Sequence, residues 1–400
     1  MFETIKLCPP DAVFGLTEEF KIDSNPNKVN LSVGVYKDEQ GRTPVMRAVH
    51  AAEQSMLAEH QSHGYLPIDG LPGFNQRVAE LILGSEHPVI LDKRFAAAQT
   101  PGGTASLRIA GEFLKHQCGV RAIWISNPTW ANHSQIYRSA GLELKQYDYL
   151  DSLGTGIDFE SVCRGVENAS SGDAILLHTV CHNPTGVDPS DDQWSELLGL
   201  ISKKKLYPIF DFAYQGFGSG LDSDAAPIRR FTESDDFPGE AIICNSFSKN
   251  FNLYGERVGG ITATAKTAET AAAMLSQIKL IIRTMYSNPP KHGGAIVERV
   301  LSDDALTADW TSELDGLRER IQRLRESFVE MMTERLPEAD FSHIAKQRGM
   351  FSYSGISSEH VDLLKREYGI YLLRSGRVNI AGLNQSNLDY VCNAIASIMR

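Results

Sequence analysis

The chain reads as an α/β protein with a mostly parallel sheet. Short apolar runs bounded by turn residues occur at 122–126, 174–178, 207–210, 241–245 and 259–263. Runs of that length and composition are buried strands. Helix-periodic segments at 105–115, 193–204 and 267–285 are interleaved with them. The alternation implies βαβ units with helices on both faces of one sheet. Residues suited to chemistry follow the strand ends, at Asn127, His178, Asp211 and Ser246, which is where ligands of such sheets bind. Residues 295–335 are expected to form a long solvated helix, laced with Glu319, Arg320, Arg323 and Arg325. That helix is expected to lead into a smaller carboxy-terminal part with strand-like runs at 369–373 and 377–380.

Composition removes several function classes. The formal net charge of −11 argues against nucleic acid as a partner, because phosphate backbones select basic surfaces. No apolar run is long enough to span a membrane. The first residues lack a basic and apolar leader, and the first arginine is Arg42, so neither a secretory signal nor a transit peptide is expected. Six cysteines, Cys8, Cys118, Cys163, Cys181, Cys244 and Cys392, show no CxxC spacing. That predicts no metal site and free thiols in a reducing compartment, hence a cytoplasmic location.

The densest chemistry lies at 246–257. Ser246, Ser248 and Arg257 offer donors suited to a phosphate, and Lys249 sits among them. A lysine beside a phosphorylated carbonyl compound suggests a Schiff base, although such a cluster is also found in plain solvated loops. A second candidate anion site is the turn Gly102-Gly103-Thr104 entering a helix, which taken alone is also an ordinary cap. Trp130 offers a ring for stacking, and His133 follows it; taken singly, each is more often structural. The turn His182-Asn183-Pro184-Thr185-Gly186 presents a side-chain amide. Asp211, at the end of an apolar run, pairs with a partner or caps a turn, and Tyr214 follows three residues later.

Together these blocks resemble the class I pyridoxal-phosphate aminotransferases, the aspartate and aromatic amino acid group. The resemblance runs from Asn30-Leu31-Ser32-Val33-Gly34-Val35-Tyr36-Lys37-Asp38 to Ser375-Gly376-Arg377-Val378-Asn379. It includes Gly64-Tyr65-Leu66-Pro67-Ile68-Asp69-Gly70 and Arg283-Thr284-Met285-Tyr286-Ser287-Asn288-Pro289-Pro290. It implies fold type I of the pyridoxal-phosphate-dependent transferases: a large domain built on a seven-stranded sheet and a smaller α/β domain. The expected division is 43–315 for the large domain, with 1–42 and 316–400 forming the small one.

The resemblance also assigns roles. Lys249 is similar to the lysine that holds the cofactor as a Schiff base. Asp211 matches the partner of the pyridine nitrogen, with His133 behind it. Tyr214 and Asn183 match the ligands of the ring's phenolic oxygen, and Trp130 the stacking ring. Gly102, Gly103, Thr104, Ser246, Ser248 and Arg257 match the phosphate cup, completed by Tyr65 of a neighbouring subunit. Arg377, near Gly34, resembles the α-carboxylate clamp. Arg283 resembles a reader of the distal carboxylate, contributed across a homodimer interface. Asn127-Pro128 and Asn183-Pro184 match two cis-proline positions.

Two guanidinium groups suit a dicarboxylic amino acid. The expected reaction is therefore ping-pong transamination of L-aspartate with 2-oxoglutarate. Val35, Lys37, Thr43, Thr104 and Asn288 look like the aspartate type, whereas Gly64 departs from the asparagine expected there. An aromatic amino acid aminotransferase of dual specificity is the alternative. A non-catalytic pyridoxal-phosphate-binding protein is more remote, since Lys249 is retained and no spare region exists for a fused module.

Overall fold

The computed structural model describes residues 2–7, 12–59, 62–233 and 239–400. Seven strands form the central sheet: β1 Phe95–Thr100, β2 Ala122–Asn127, β3 Glu143–Asp148, β4 Ala174–His178, β5 Tyr207–Phe212, β6 Ile242–Ser246 and β7 Gly259–Thr264. Their spatial order is β1-β7-β6-β5-β4-β2-β3. Strands β2 to β6 run parallel, and β7 is antiparallel to both of its neighbours, β1 and β6. The five apolar runs read from the sequence are all strands. Two strands had no comparable signal. The first, β3 (ELKQYD), lies at the sheet edge, where polar and charged side chains face solvent. The second, β1 (FAAAQT), is alanine-rich and weak in β propensity, yet it is almost wholly buried against β7.

Helices cover both faces. Among them, α1 Gly103–Gln117, α2 Asn132–Ser139 and α3 Ala268–Met285 pack Leu107, Ile136 and Ile278 into an apolar layer with Ile123, Ile125, Ile209 and Ile261 of the sheet. The helix expected over 295–335 is in fact two. Asp303 ends the helix Lys291–Ser302, and its carboxylate caps α4, Asp304–Arg335, by accepting from the N–H of Ala305 (2.9 Å) and Leu306 (3.0 Å). An acidic N-cap ends one helix and starts another without a glycine or proline, so charge periodicity ran through the break. Trp310 of α4 stacks on Phe251 (4.5 Å between ring centroids) and donates its indole N–H to Asn250 O (2.7 Å). The long helix is thereby anchored one residue beyond Lys249.

Two small pairings join the ends of the chain. Val29–Asn30 runs parallel to Ile370–Tyr371, and Phe351–Tyr353 antiparallel to Arg377–Asn379. The strand-like runs at 369–373 and 377–380 shrink to these short elements, and Ile380–Gly382 turns into a 3-10 helix. The first pairing holds the segment containing Gly34 beside the segment containing Arg377.

Candidate active site

The sheet topology brings the scattered motifs to one end of the parallel strands. Asp211 lies inside β5 rather than after the strand, opposite His178 on β4 and Cys244 on β6. Ser246 closes β6, and its register partner is Gly259 of β7, which also pairs with Thr100 at the end of β1. The Gly102-Gly103 turn therefore arrives beside Ser246 and Arg257.

The floor of the site is a chain of hydrogen bonds. Backbone N–H of Asn183 donates to His178 Nδ1 (3.5 Å), so His178 Nε2 carries the proton and donates to Thr129 Oγ1 (3.0 Å). Thr129 in turn donates to His133 Nδ1 (2.8 Å), which leaves His133 Nε2–H to donate to Asp211 Oδ2 (3.0 Å). His133 is fully buried and Asp211 is 9% exposed. Burial alone would raise the Asp211 carboxyl, but the His133 hydrogen bond and nearby positive groups hold it below its ordinary value. Burial holds His178 neutral, at about 3.

Lys249 is half-buried. Desolvation lowers its amine to about 8, with Arg257 and Arg377 lowering it further and Asp211 opposing them. Its Nζ lies 5.3 Å from the centroid of the Tyr214 ring. Trp130 meets His133 edge-on at 5.2 Å. The donors form a compact corner: Ser246 Oγ to Ser248 Oγ at 3.2 Å, and Arg257 Nη1 to Ser248 Oγ at 3.4 Å. Gly102 must be glycine, because its φ is +79° and a Cβ would lie 2.5 Å from Arg257 Nη2. Gly103 begins α1 against Ser246, with Thr104 next in its first turn.

At the other end, Arg377 is 5% exposed. Its Nη1 donates to Asn183 Oδ1 (3.3 Å) and its Nη2 to Ser32 O (2.5 Å), while Nε has no hydrogen-bond partner. The guanidinium lies 4.0 Å over the Phe351 ring. Gly34 sits at the tip of that ring, where a Cβ would approach Phe351 Cζ to 2.6 Å. Burial lowers Arg377 to about 10, so it stays charged; among the described residues no carboxylate pairs with it.

Two predicted site residues are not brought to this cluster. Tyr65 is 96% exposed, and Arg283, in the last turn of α3, bonds only to Ser287 beside it. Sequence reading placed His178 among the strand-end candidates without a role, and missed Thr129, Ser32 and Phe351. None of these three carried a signal of its own. Both Asn127-Pro128 and Asn183-Pro184 are cis. Among the described residues no group of side chains is arranged to hold a metal, and no helix is long and apolar enough to cross a membrane.

A phosphorylated aldehyde suits these residues chemically. The Ser246, Ser248 and Arg257 donors face a floor cleared by glycine, and an amine of lowered basicity stands beside a carboxylate held ionised.

Residues 26–395 match the family Aminotransferase class I and II. The aspartate aminotransferase of Haemophilus influenzae is 46% identical over 399 residues, covering all of both chains. The aromatic-amino-acid aminotransferase of Escherichia coli is 40% identical, again over all of both chains. Among solved structures, the aromatic-amino-acid aminotransferase from Burkholderia pseudomallei, covalently bound to pyridoxal phosphate, is 43% identical. It superposes with a TM-score of 0.97 and covers both chains fully. The chain therefore belongs to the class I and II aminotransferases. It is an enzyme of that family, with the fold type I expected from its sequence.

Proposed function

We propose that this enzyme transfers the amino group of L-aspartate to 2-oxoglutarate, using pyridoxal 5'-phosphate, and works as a homodimer with shared active sites. The observation that carries the substrate class is Arg377, a buried guanidinium with a free Nε and no carboxylate partner. A buried cation of this kind awaits an anion, and a substrate α-carboxylate supplies one.

When bound, the cofactor supplies an electron sink for charge released at the substrate Cα. Lys249 Nζ would hold the cofactor covalently and, when free, would carry the proton of the substrate Cα. Its lowered basicity suits both tasks near neutral pH. Asp211 would keep a pyridine nitrogen protonated, with His133, Thr129 and His178 fixing the carboxylate's orientation and charge. Tyr214 and Asn183 would hold the ring's phenolic oxygen, and Trp130 its face. Gly102, Gly103, Thr104, Ser246, Ser248 and Arg257 would hold its phosphate. Tyr65 and Arg283 would act in the partner's site, and their exposure in the single chain supports that reading. We keep the domain division 43–315 against 1–42 plus 316–400, supported by the pairing of Val29–Asn30 with Ile370–Tyr371. Five described free cysteines support a cytoplasmic location; Cys8 lies outside the described residues.

Aromatic amino acids are the second reading. Arg283 is exposed and, among the described residues, its side chain is held by Ser287 alone, so it can yield to a ring. The test is the absorption spectrum of the loaded enzyme on adding aspartate or phenylalanine without an oxo acid. Conversion to the aminated cofactor with aspartate alone upholds the main reading. Equal conversion by phenylalanine moves the assignment to dual specificity, and no conversion by either overturns both.

A further inference from the structure

We infer that Gln99 is a positioning residue for the transamination: it sets the rim that one subunit lends to the other's active site. The inference rests on the proposed sharing of Tyr65 and Arg283 across a dimer. Gln99 is the penultimate residue of β1 and is fully buried. It acts through the two segments that carry Tyr65 and Arg283, not on the reacting atoms.

Its carboxamide ties both segments to the sheet. Oε1 accepts the N–H of Leu71 (3.2 Å), downstream of Tyr65. Nε2 donates to Pro290 O (2.8 Å), downstream of Arg283. The backbone N–H of Gln99 adds a bond to Asp69 O (2.9 Å). An N–H only donates and a carbonyl only accepts, so these partners fix which way the amide points. A carboxamide offers an acceptor and a donor side by side; a thioether of the same length offers neither with comparable strength.

The packing around the amide is close on both sides. Gly70 has φ +88°, and a Cβ there would lie 2.7 Å from Gln99 Oε1. A Cβ on Gly294, in the helix that follows Pro290, would lie 2.7 Å from Gln99 Cδ. Both rim segments therefore press directly on this side chain.

Beyond this anchor the segments reach into solvent: residues 62–65 and 283–285 are exposed. They are also tied to each other. Lys279 of α3 pairs with Asp69 (3.1 Å), and Lys291 Nζ donates to Ser62 O (2.8 Å). Such exposed ties are weak. They join one segment to the other, whereas Gln99 joins both to the sheet. β1 itself is held by β7, with Gln99 opposite Gly260 and Thr100 opposite Gly259. The phosphate-suited turn of the same chain thus keeps its place without the carboxamide, and the defect from losing it falls in the other subunit's site.

The test uses hybrid holoenzyme dimers, made by co-expressing two differently tagged chains and purifying through both tags. One chain carries Lys249→Ala, so each hybrid has one active site, and the inactive chain supplies its rim. Gln99→Met on the inactive chain should lower kcat/KM for aspartate by about 10–100-fold, as for a contact misplaced by about an ångström, with phenylalanine nearly unchanged. The same substitution on the active chain should leave both nearly unchanged. Gly294→Ala on the inactive chain reaches the amide by another route. Its methyl pushes Gln99 aside while alanine favours the helix, so it serves even where Gln99→Met does not fold. It should reproduce the loss. Arg283→Ala on the inactive chain is the control. If it impairs aspartate and neither Gln99→Met nor Gly294→Ala does, the inference falls and the shared rim stands. If none of the three acts across the dimer, the shared rim falls and takes the inference with it. Equal losses from either chain, or for both substrates, would make Gln99 a support of the fold alone and overturn the inference.

Discussion

The buried floor of the site, from Asp211 through His133 and Thr129 to His178, contrasts with its rim, where Tyr65 is 96% exposed and Arg283 projects from the end of α3. Asp211 and His178 stand on central strands, Thr129 on the loop after β2 and His133 in the first turn of α2, and each donor meets an acceptor within the same chain. The rim residues sit on the surface, and on the proposed reading a second copy completes them. On that reading the chemistry and the α-carboxylate clamp belong to the single fold, and the discrimination between side chains to the assembly.

The largest expected effect is on the floor. Lys249→Ala should keep its circular dichroism but lose covalent cofactor attachment, with steady-state turnover falling by at least about 10²–10⁴-fold, the usual worth of a proton-transferring group. Ordinary turnover in that variant would end the catalytic reading.

At the rim, Arg283→Ala should cost aspartate about 2–5 kcal/mol in kcat/KM, the effect of stranding a buried carboxylate, and leave phenylalanine nearly unchanged. Equal losses for both substrates would remove Arg283 from substrate recognition. Mixing Arg283→Ala chains with Lys249→Ala chains should restore part of the aspartate activity, since hybrids contain one complete site. If mixing restores none, the rim is not shared.

Smaller still, Tyr65→Phe should weaken cofactor binding by about 10–100-fold through the loss of one hydrogen bond to a charged group. Cofactor release measured by gel filtration and absorbance checks this, and unchanged release would place Tyr65 outside the phosphate corner.

The mildest effect is on pH dependence. The Lys249 amine is depressed from 10.5 to about 8, so it is protonated below that value and nucleophilic above it. Capture of pyridoxal phosphate by the apo protein should accelerate from about pH 7 to pH 9 and then level off. A rate still climbing at about pH 10 would mean that the fold does not depress the amine.

Much of the fold was legible because its buried strands are apolar on both faces, as 174–178 and 259–263 show. The edge strand β3 and the alanine-rich β1 were not, because their pairing is set by neighbours rather than by their own residues. The break at Asp303 was hidden for a similar reason: a capping aspartate looks like one more charge on a solvated face. In the site, Lys249, Asp211 and the serine pair stood out through residue type and spacing. Thr129, Ser32 and Phe351 did not, since a hydroxyl, a backbone carbonyl and a core phenylalanine carry no signal until something is placed against them.

Residue order alone was thus enough for the alternation of strands and helices, the phosphate-suited corner and the lysine at its centre, because each depends on neighbours a few positions apart. Only the tertiary structure could settle the rest. The Asp211–His178 relay, the stacking of Arg377 on Phe351 and the bonding of Arg325 to the carbonyls of Gly349 and Phe351 all join residues distant in sequence. Burial and charge pairing are properties of that packing, and they set how acidic, basic or available each of these groups is.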